Sequence, residues 1–224
     1  FVPTMDLEPN VLVMLLPYGL QRTGLTPEQF IEAWAKKVGR LSVYDYWSIT
    51  DWSNDLPDFG YFTVLQDRIR YWHGQGVESA ALQSTASAGA MGLDLYAASK
   101  LLWEPQAEAE QIFDEFCRTC FGPAEGPLRR MLRRWGTEFL LSEQELALSY
   151  RDVAEAMRLA QDPAVRARVD DYARYVHYIA LWFEYQEKKP KTPERVQAAE
   201  AVSRYLWRIY DSAMVHAYRM HVLL

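Results

Sequence analysis

The sequence predicts an α/β fold in which three parallel strands and their connecting helices are followed by an all-α region. Continuous apolar runs of strand length alternate with helical patterns through the first hundred residues. The connections between these runs are long enough to hold a helix, as parallel neighbouring strands require. After Pro105 only the helical period remains, so the chain is expected to change architecture there.

The first strand is predicted at Val11–Leu16, where all six residues are apolar and a Pro-Tyr-Gly turn follows. A strand that is apolar on both sides is typical of a buried parallel sheet, so we expect both of its faces to be covered. Thr26 then provides a helix N-cap, and Pro27 occupies the first helical position. The helix is expected to end at Gly39.

Two further strand–helix units follow. The strands are predicted at Leu41–Trp47 and Val77–Gln83, and the helices at 61–73 and 90–103. Crossovers of this kind are nearly always right-handed and produce parallel neighbours. Three strands are too few for a closed barrel. We therefore predict that residues 1–104 form the C-terminal part of a (β/α)8-type barrel whose earlier strands precede Phe1.

Residues 105–224 are predicted to form a helical bundle. Short connections between long amphipathic helices favour antiparallel packing. The helices are expected at 106–121, 123–141, 143–161, 163–188 and from 193 onward, with N-caps at Ser142, Asp162 and Thr192. One helix carries aromatic residues at helical spacing, which are expected to form the bundle core: Tyr172, Tyr175, Tyr178, Trp182 and Tyr185.

Composition excludes several classes of function. Half of the 224 residues are apolar and 14% are aromatic, which is enough for a packed core and argues against disorder. The formal charge of −6 disfavours nucleic acid as a partner, because an acidic chain gains nothing from displacing counterions from phosphates. No apolar run approaches the ~20 residues of a membrane span. Without a signal peptide or an initiator Met, a secreted or periplasmic location stays open, and the oligomeric state is undetermined.

Neither the cysteines nor the histidines form a metal-binding pattern, so no metal is predicted. Cys117 and Cys120 form a C-x-x-C pair within a predicted helix, but a second ligand pair is missing. We interpret them as packed helix residues rather than as a redox pair or half of a zinc site. The sequence also lacks phosphate-binding and dinucleotide-binding motifs, so no cofactor is predicted.

The candidate site lies where the predicted strands end, because active groups in parallel α/β sheets sit beyond the carboxyl ends of the strands. Carboxylates, aromatic rings and an amide occur there. Aromatic rings stack on the apolar faces of sugars, while carboxylates and amides bind sugar hydroxyls, so the predicted partner is a carbohydrate substrate. The candidate residues are Asp45 as the catalytic group, with Tyr18, Tyr46, Trp47, Trp52 and Gln83 binding the substrate.

Asp45 has a structural alternative. Glycosidic cleavage needs two carboxyl groups, and Asp45 is the one that this segment clearly offers. It could instead cap a turn or pair with an arginine such as Arg40 or Arg68. Glu78 lies near the amino end of its strand, where a salt bridge is the favoured interpretation. Gln83 is expected either to bind a sugar hydroxyl or to form a hydrogen bond with a loop.

Several motifs together resemble the bacterial domain of unknown function 4838. They are L-S-V-Y-D-Y-W at 41–47, L-Y-A-A-S-K-L-L-W-E-P at 95–105 and F-D-E-F-C-R-T-C-F-G-P-A at 113–124. The resemblance covers about Pro9–Leu141 and implies kinship with alpha-glucuronidases and other barrel glycoside hydrolases. Where such relatives are expected to carry a Glu-Gln pair at the end of the third strand, this chain has Leu82-Gln83.

The predicted function is glycoside hydrolysis of a glycan at the barrel mouth. The alternative is a non-catalytic glycan-binding protein on a degenerate hydrolase barrel, which Leu82 favours because it removes a potential acid. A third hypothesis is an interaction scaffold built on the helical region, which predicts that the largest apolar patch lies on the bundle surface.

Overall fold

The computed structural model describes residues 2, 4–5, 7–46, 53–57, 61–84, 86–136 and 139–224. The strands are β1 (Leu12–Leu15), β2 (Arg40–Tyr46) and β3 (Val77–Gln83). The helices of the first half are α1 (Pro27–Ala35), α2 (Tyr61–Gly74) and α3 (Gly92–Trp103). Those of the second half are α4 (Ala109–Phe121), α5 (Glu125–Trp135), α6 (Glu143–Leu159), α7 (Pro163–Glu187), α8 (Pro193–Arg208) and α9 (Ala217–Leu223).

The three strands form a parallel sheet in the order β1-β2-β3, which confirms the predicted topology. Leu15 lies opposite Val43, and Tyr46 lies opposite Gln83. Because all three strands run the same way, their carboxyl ends meet at one edge of the sheet. This edge brings together side chains that are far apart in the sequence.

The two faces of the sheet differ in how they are covered. Helices α1 and α2 pack on the face that carries Val43, which is fully buried. On the opposite face of β1, Leu12 is 41% and Met14 is 51% exposed, whereas Leu15 is only 3% exposed. The prediction that both faces of β1 are covered is therefore wrong. The reason is that β1 lies at an edge of the described sheet and the helices cover its other face.

The helical half is built from successive helices that pack on their sequence neighbours: α5 on α6, α6 on α7, α7 on α8 and α8 on α9. The predicted aromatic core is confirmed, because Tyr175 and Tyr178 are fully buried and Trp182 is 4% exposed. None of the helices in the described ranges combines the length and apolarity that crossing a bilayer requires.

Several predicted helix starts are confirmed by side-chain caps. Thr26 and Gln29 form a reciprocal capping box at the start of α1. The Ser142 and Thr192 hydroxyls accept the backbone N–H groups of Glu145 and Arg195 at the starts of α6 and α8. These hydrogen bonds satisfy backbone donors that a helix leaves unpaired at its N-terminus.

Three predicted helix ends are wrong. Helix α1 ends at Ala35, four residues before Gly39, and the helix expected over 123–141 ends at Trp135. The last predicted helix is interrupted at 209–216 and resumes as α9. Ala213 in this interruption has a left-handed backbone with φ of 54°, although the segment contains neither Gly nor Pro. We call residues 209–216 the interhelix segment.

Candidate functional site

Three tyrosine rings meet at the carboxyl edge of the sheet, and we call Tyr18, Tyr44 and Tyr46 the ring cluster. The centroids of the Tyr18 and Tyr46 rings are 5.5 Å apart, and those of Tyr44 and Tyr46 are 5.3 Å apart. Tyr44 and Tyr46 share a face of β2 because side chains two residues apart on a strand point the same way. Tyr18 remains 43% exposed, so the cluster presents aromatic surface to solvent.

Gln83 lies beside the ring cluster, at the end of β3. The Tyr44 hydroxyl donates a hydrogen bond to the Gln83 side-chain oxygen across the two strands. This places the predicted amide next to the predicted aromatic residue Tyr46, which is its register partner. The Gln83 amide nitrogen carries two donors of the kind that bind hydroxyl oxygens.

Asp45 points to the opposite face of β2, towards α2, and its side chain is 1% exposed. The Arg68 Nη1 atom lies 2.7 Å from the Asp45 Oδ2 atom. The Tyr18 hydroxyl donates to Oδ1, and the Tyr46 backbone N–H donates to the same oxygen at 2.9 Å. Of the two arginines that the sequence suggested as partners, Arg68 therefore forms the ion pair.

The other suggested arginine, Arg40, has a different partner. Its Nε atom lies 2.8 Å from the Glu78 carboxylate at the amino end of the sheet. This confirms the salt bridge that the sequence predicted for Glu78. The two side chains are 50% and 42% exposed, so the pair contributes little to stability.

The hydrogen bonds of Asp45 connect three elements that are distant in the sequence. They attach Tyr18, beyond the end of β1, and Arg68, on α2, to the end of β2. Hydrogen bonds to an ionised carboxylate are stronger than those between neutral groups. Asp45 thus fixes the Tyr18 ring beside the Tyr46 ring and maintains the shape of the ring cluster.

A cavity of about 430 Å³ lies between α1, α2 and the strand ends. This volume falls within the range of small-molecule sites, about 300–1,000 Å³. Its walls combine carboxylates, an arginine and aromatic rings, the chemistry that polar ligands require. The residues that matter here are Tyr18, Glu28, Asp45, Asp67, Arg68 and Tyr71.

The Tyr71 hydroxyl is a fixed donor in this cavity. It donates to the Glu28 backbone carbonyl at 2.9 Å and contacts the Glu32 carboxylate at 3.3 Å. Burial, followed by the negative charge of Glu32, raises the pKa of Tyr71 to about 12. Tyr71 therefore remains protonated at neutral pH. The sequence did not predict that Tyr71 lines this cavity, because helical spacing alone does not show which face of α2 turns towards the strand ends.

Of the six predicted site residues, the structure brings Tyr18, Asp45, Tyr46 and Gln83 to one edge. Trp47 and Trp52 lie outside the described residues. Within the described ranges, no group of three His, Cys, Asp or Glu side chains is arranged to hold a metal ion. Cys117 is fully buried, and burial raises the pKa of its thiol to about 12, which supports a packing role.

A larger concavity, of about 640 Å³, lies in the helical half beside α8 and α9. Its most prominent cation, Arg195, stacks on the Tyr185 ring at 3.9 Å and donates to the backbone carbonyls of Tyr185 and Lys188. These contacts satisfy the end of α7, so Arg195 serves the fold. The strand-end region is the better candidate because Tyr18, Asp45 and Arg68 converge on the cavity there.

Comparison with known families identifies one match. Residues 2–133, which are more than half of the chain, match the profile described as a domain of unknown function (DUF4838). The matched range contains the whole sheet, the ring cluster and Asp45. No curated protein and no solved structure matches the chain.

Proposed function

The chain belongs to the family of the domain of unknown function (DUF4838), and we propose that its strand ends bind a carbohydrate. The observation that carries this proposal is the ring cluster at the carboxyl edge of a parallel sheet, with the Tyr18 and Tyr46 rings 5.5 Å apart. The exposed Tyr18 ring and the half-buried Tyr46 ring offer a surface for the apolar face of a sugar. Gln83 beside them offers amide donors for its hydroxyls.

Asp45 supports this proposal as the residue that holds the rings in place. Its side chain is 1% exposed and binds Arg68 as well as the Tyr18 hydroxyl. A ring platform that is held by buried hydrogen bonds loses less conformational entropy when a sugar binds. We therefore expect the loss of Asp45 to weaken sugar binding.

The experiment is a screen of neutral and uronic-acid oligosaccharides by isothermal titration calorimetry. We expect one class to bind, and Tyr46→Ala to weaken its affinity at least tenfold, a loss of about 1.4 kcal/mol. Tyr218→Ala is the matched control because Tyr218 is 66% exposed on α9. The proposal fails if no oligosaccharide binds, or if both variants weaken binding equally.

Glycoside hydrolysis is the second candidate, and the cavity beside Asp45 favours it. Three carboxylates line this cavity: Glu28, Asp45 and Asp67. Hydrolysis requires one carboxyl group as the acid and another as the base or nucleophile. Asp45 is proposed as the catalytic or substrate-orienting carboxylate, as the sequence analysis predicted.

A screen of aryl glycosides distinguishes hydrolysis from binding alone. Hydrolysis predicts release of the aryl group and loss of turnover in Asp45→Asn. Binding without turnover would support the non-catalytic alternative. Turnover that persists unchanged in Asp45→Asn would remove Asp45 from the catalytic assignment.

We also propose that residues 1–104 form the C-terminal part of a (β/α)8-type barrel, with a helical bundle over residues 105–224. The exposed apolar face of β1 supports this, because Leu12 and Met14 are 41% and 51% exposed at the edge of the sheet. In the described sheet β1 pairs with β2 on one side only, and the outer edge of such a strand is normally paired or covered. A structure that includes any residues preceding Phe1 should show a further strand paired to the outer edge of β1; an outer edge of β1 without a partner strand there would contradict the barrel.

A further inference from the structure

Asp55 occupies a strained position in the loop that follows β2. Asn54 and Asp55 both have left-handed backbones, with φ of 53° and 50°. Such conformations are uncommon for residues other than glycine, although Asn and Asp adopt them more readily than most, and they persist where surrounding contacts hold them. The Asp55 residue is also 3% exposed, although carboxylates are almost never buried without partners.

Helix α7 holds the backbone of this loop. The Tyr175 hydroxyl donates to the Asp55 carbonyl at 2.6 Å, and the Tyr178 hydroxyl donates to the Asn54 carbonyl at 2.5 Å. Both tyrosines are fully buried, and burial raises the pKa of Tyr178, so its hydroxyl remains a donor. Two core residues of the helical half therefore hold the described segment 53–57, which follows β2 in the chain.

The Asp55 carboxylate extends this connection to two other segments. Its Oδ1 atom accepts the Ser87 hydroxyl at 3.2 Å, from the loop that follows β3. Its Oδ2 atom accepts the His216 backbone N–H at 2.6 Å, from the interhelix segment. One buried side chain thus joins the loops that follow two neighbouring strands to the C-terminal helices.

Gly89 makes a second, independent contact between the β3 loop and the interhelix segment. Its N–H donates to the Ala213 carbonyl at 2.9 Å. A Cβ atom at Gly89 would lie 2.9 Å from the Met214 Sδ atom, at the end of a flexible side chain, and 3.0 Å from the Ala213 backbone oxygen, which is tighter than most real Cβ contacts. The backbones can approach this closely only because residue 89 has no side chain.

We propose that Asp55 is a positioning residue through which the helical half sets the geometry of the strand-end loops. Its contacts offer a physical reason for the helix break at 209–216, which contains neither Gly nor Pro. The His216 N–H in this segment donates to the Asp55 carboxylate. The structural part of this inference is independent of ligand. Its consequence for sugar binding depends on the proposed function.

The test is Asp55→Asn, which keeps the shape but replaces one acceptor oxygen with an NH2 donor. Amide hydrogen exchange should accelerate at least tenfold in 86–92 and 213–217, because the Ser87 or His216 donor loses its acceptor. Exchange in the bundle core at 169–179 should remain unchanged. Asp211→Asn is the control because Asp211 is an exposed aspartate in the same interhelix segment.

A second variant, Gly89→Ala, keeps Asp55 intact and separates the same two segments by steric contact. It should accelerate exchange in the same two regions. For any oligosaccharide that the wild type binds, both variants should weaken affinity at least threefold, while Asp211→Asn has no effect.

Three results would overturn the proposal. The first is unchanged exchange in 86–92 and 213–217 in both variants. The second is equal acceleration throughout the bundle core, which would make Asp55 a general stability residue. The third is accelerated local exchange with unchanged sugar affinity, which would remove the link to binding. If the wild type binds no sugar, the proposed function fails, and the exchange data still decide whether Asp55 positions the loops.

Discussion

Asp45 in the sheet half and Asp152 in the helical half are both buried carboxylates held by arginines, yet their surroundings differ. Asp152 is fully buried on α6 and accepts from Arg130 at 3.0 Å and Arg134 at 2.7 Å, both on α5. Asp45 pairs with Arg68 and lines a cavity of about 430 Å³. The comparison shows that one kind of interaction can join two helices in one region and form part of a cavity wall in another.

The two aspartates also differ in the further contacts and the exposure of the residues that bind them. Arg134 donates to Glu145 as well, so Asp152 belongs to a network that is closed within the bundle. Asp45 accepts the hydroxyl of Tyr18, a ring that is 43% exposed. Loss of Asp152 should therefore affect stability alone, whereas loss of Asp45 should affect the ring cluster too.

The largest expected effect is that of Asp152→Ala. It removes the acceptor that Arg130 and Arg134 share, while Glu155 and Glu145 still bind them. Two lost hydrogen bonds to a charged group should lower the free energy of unfolding by at least about 3 kcal/mol. Urea unfolding followed by circular dichroism measures this loss. Glu78→Ala is the control, because it breaks the exposed pair with Arg40 and should cost less than about 1 kcal/mol. Equal losses in both variants would contradict the account of Asp152.

Asp45→Asn should have a smaller effect on stability. The amide keeps one oxygen acceptor and loses the charge that binds one arginine, Arg68, whereas Asp152→Ala removes the whole acceptor shared by two arginines. We expect a loss of about 1.5–3 kcal/mol, typical of a hydrogen bond to a charged group. The same variant should weaken sugar binding. A stability loss as large as that of Asp152→Ala, with sugar affinity unchanged, would erase the distinction between the two sites.

Acid should destabilise the helical half through Asp152. Burial alone would raise the pKa of Asp152, but hydrogen bonds from Arg134 and Arg130 outweigh it and lower the pKa. A lowered pKa contributes stability that is present above the unfolded-state value, about 3.9, and is lost as the pH falls through the folded value. Melting temperatures measured from pH 7 to pH 3 should fall in the acid range.

Asp152→Asn tests the source of this pH dependence. The variant should be less stable at pH 7 and should show a shallower decline between pH 5 and pH 3. Glu110 and Glu115, whose pKa values are lowered by hydrogen bonds with Arg133 and Lys100, should contribute to the remaining slope. A decline as steep as that of the wild type would assign the acid sensitivity to other carboxylates.

The smallest expected effect is that of Tyr18→Phe, which removes one hydroxyl and keeps the ring. The lost hydrogen bond to Asp45 should cost about 1.5 kcal/mol in urea unfolding, the low end for a bond to a charged group, because Tyr18 is 43% exposed. Sugar affinity should fall less than in Tyr46→Ala, because the ring remains but is less firmly held. If Tyr18→Phe binds sugar as weakly as Tyr46→Ala, the hydroxyl rather than the ring contacts the ligand.

Local sequence signals predicted much of the fold. Strand β3 has the predicted bounds, Val77–Gln83, because Gly76 and a small-residue loop delimit it. The caps at Thr26, Ser142 and Thr192 were predictable because their hydrogen bonds reach only three residues along the chain.

Features that depend on contacts between distant parts of the chain could not be predicted from local sequence patterns. The exposed face of β1 depends on which helices cover the sheet, so an apolar run alone predicted burial on both faces. The break at 209–216 lacks a helix-breaking residue, and its His216 N–H binds a carboxylate 161 positions away in the chain. Similarly, the sequence suggested both Arg40 and Arg68 as partners of Asp45. The structure shows that Arg68 pairs with Asp45, whereas Arg40 pairs with Glu78.

The most direct test of the central claim is to map where a sugar binds, using NMR chemical shifts of the tyrosine rings during titration with an oligosaccharide. The account predicts that the largest shifts belong to Tyr18, Tyr44 and Tyr46, and that Tyr185 beside the concavity of the helical half is unaffected. Shifts confined to Tyr185, with the three strand-end rings unchanged, would contradict it.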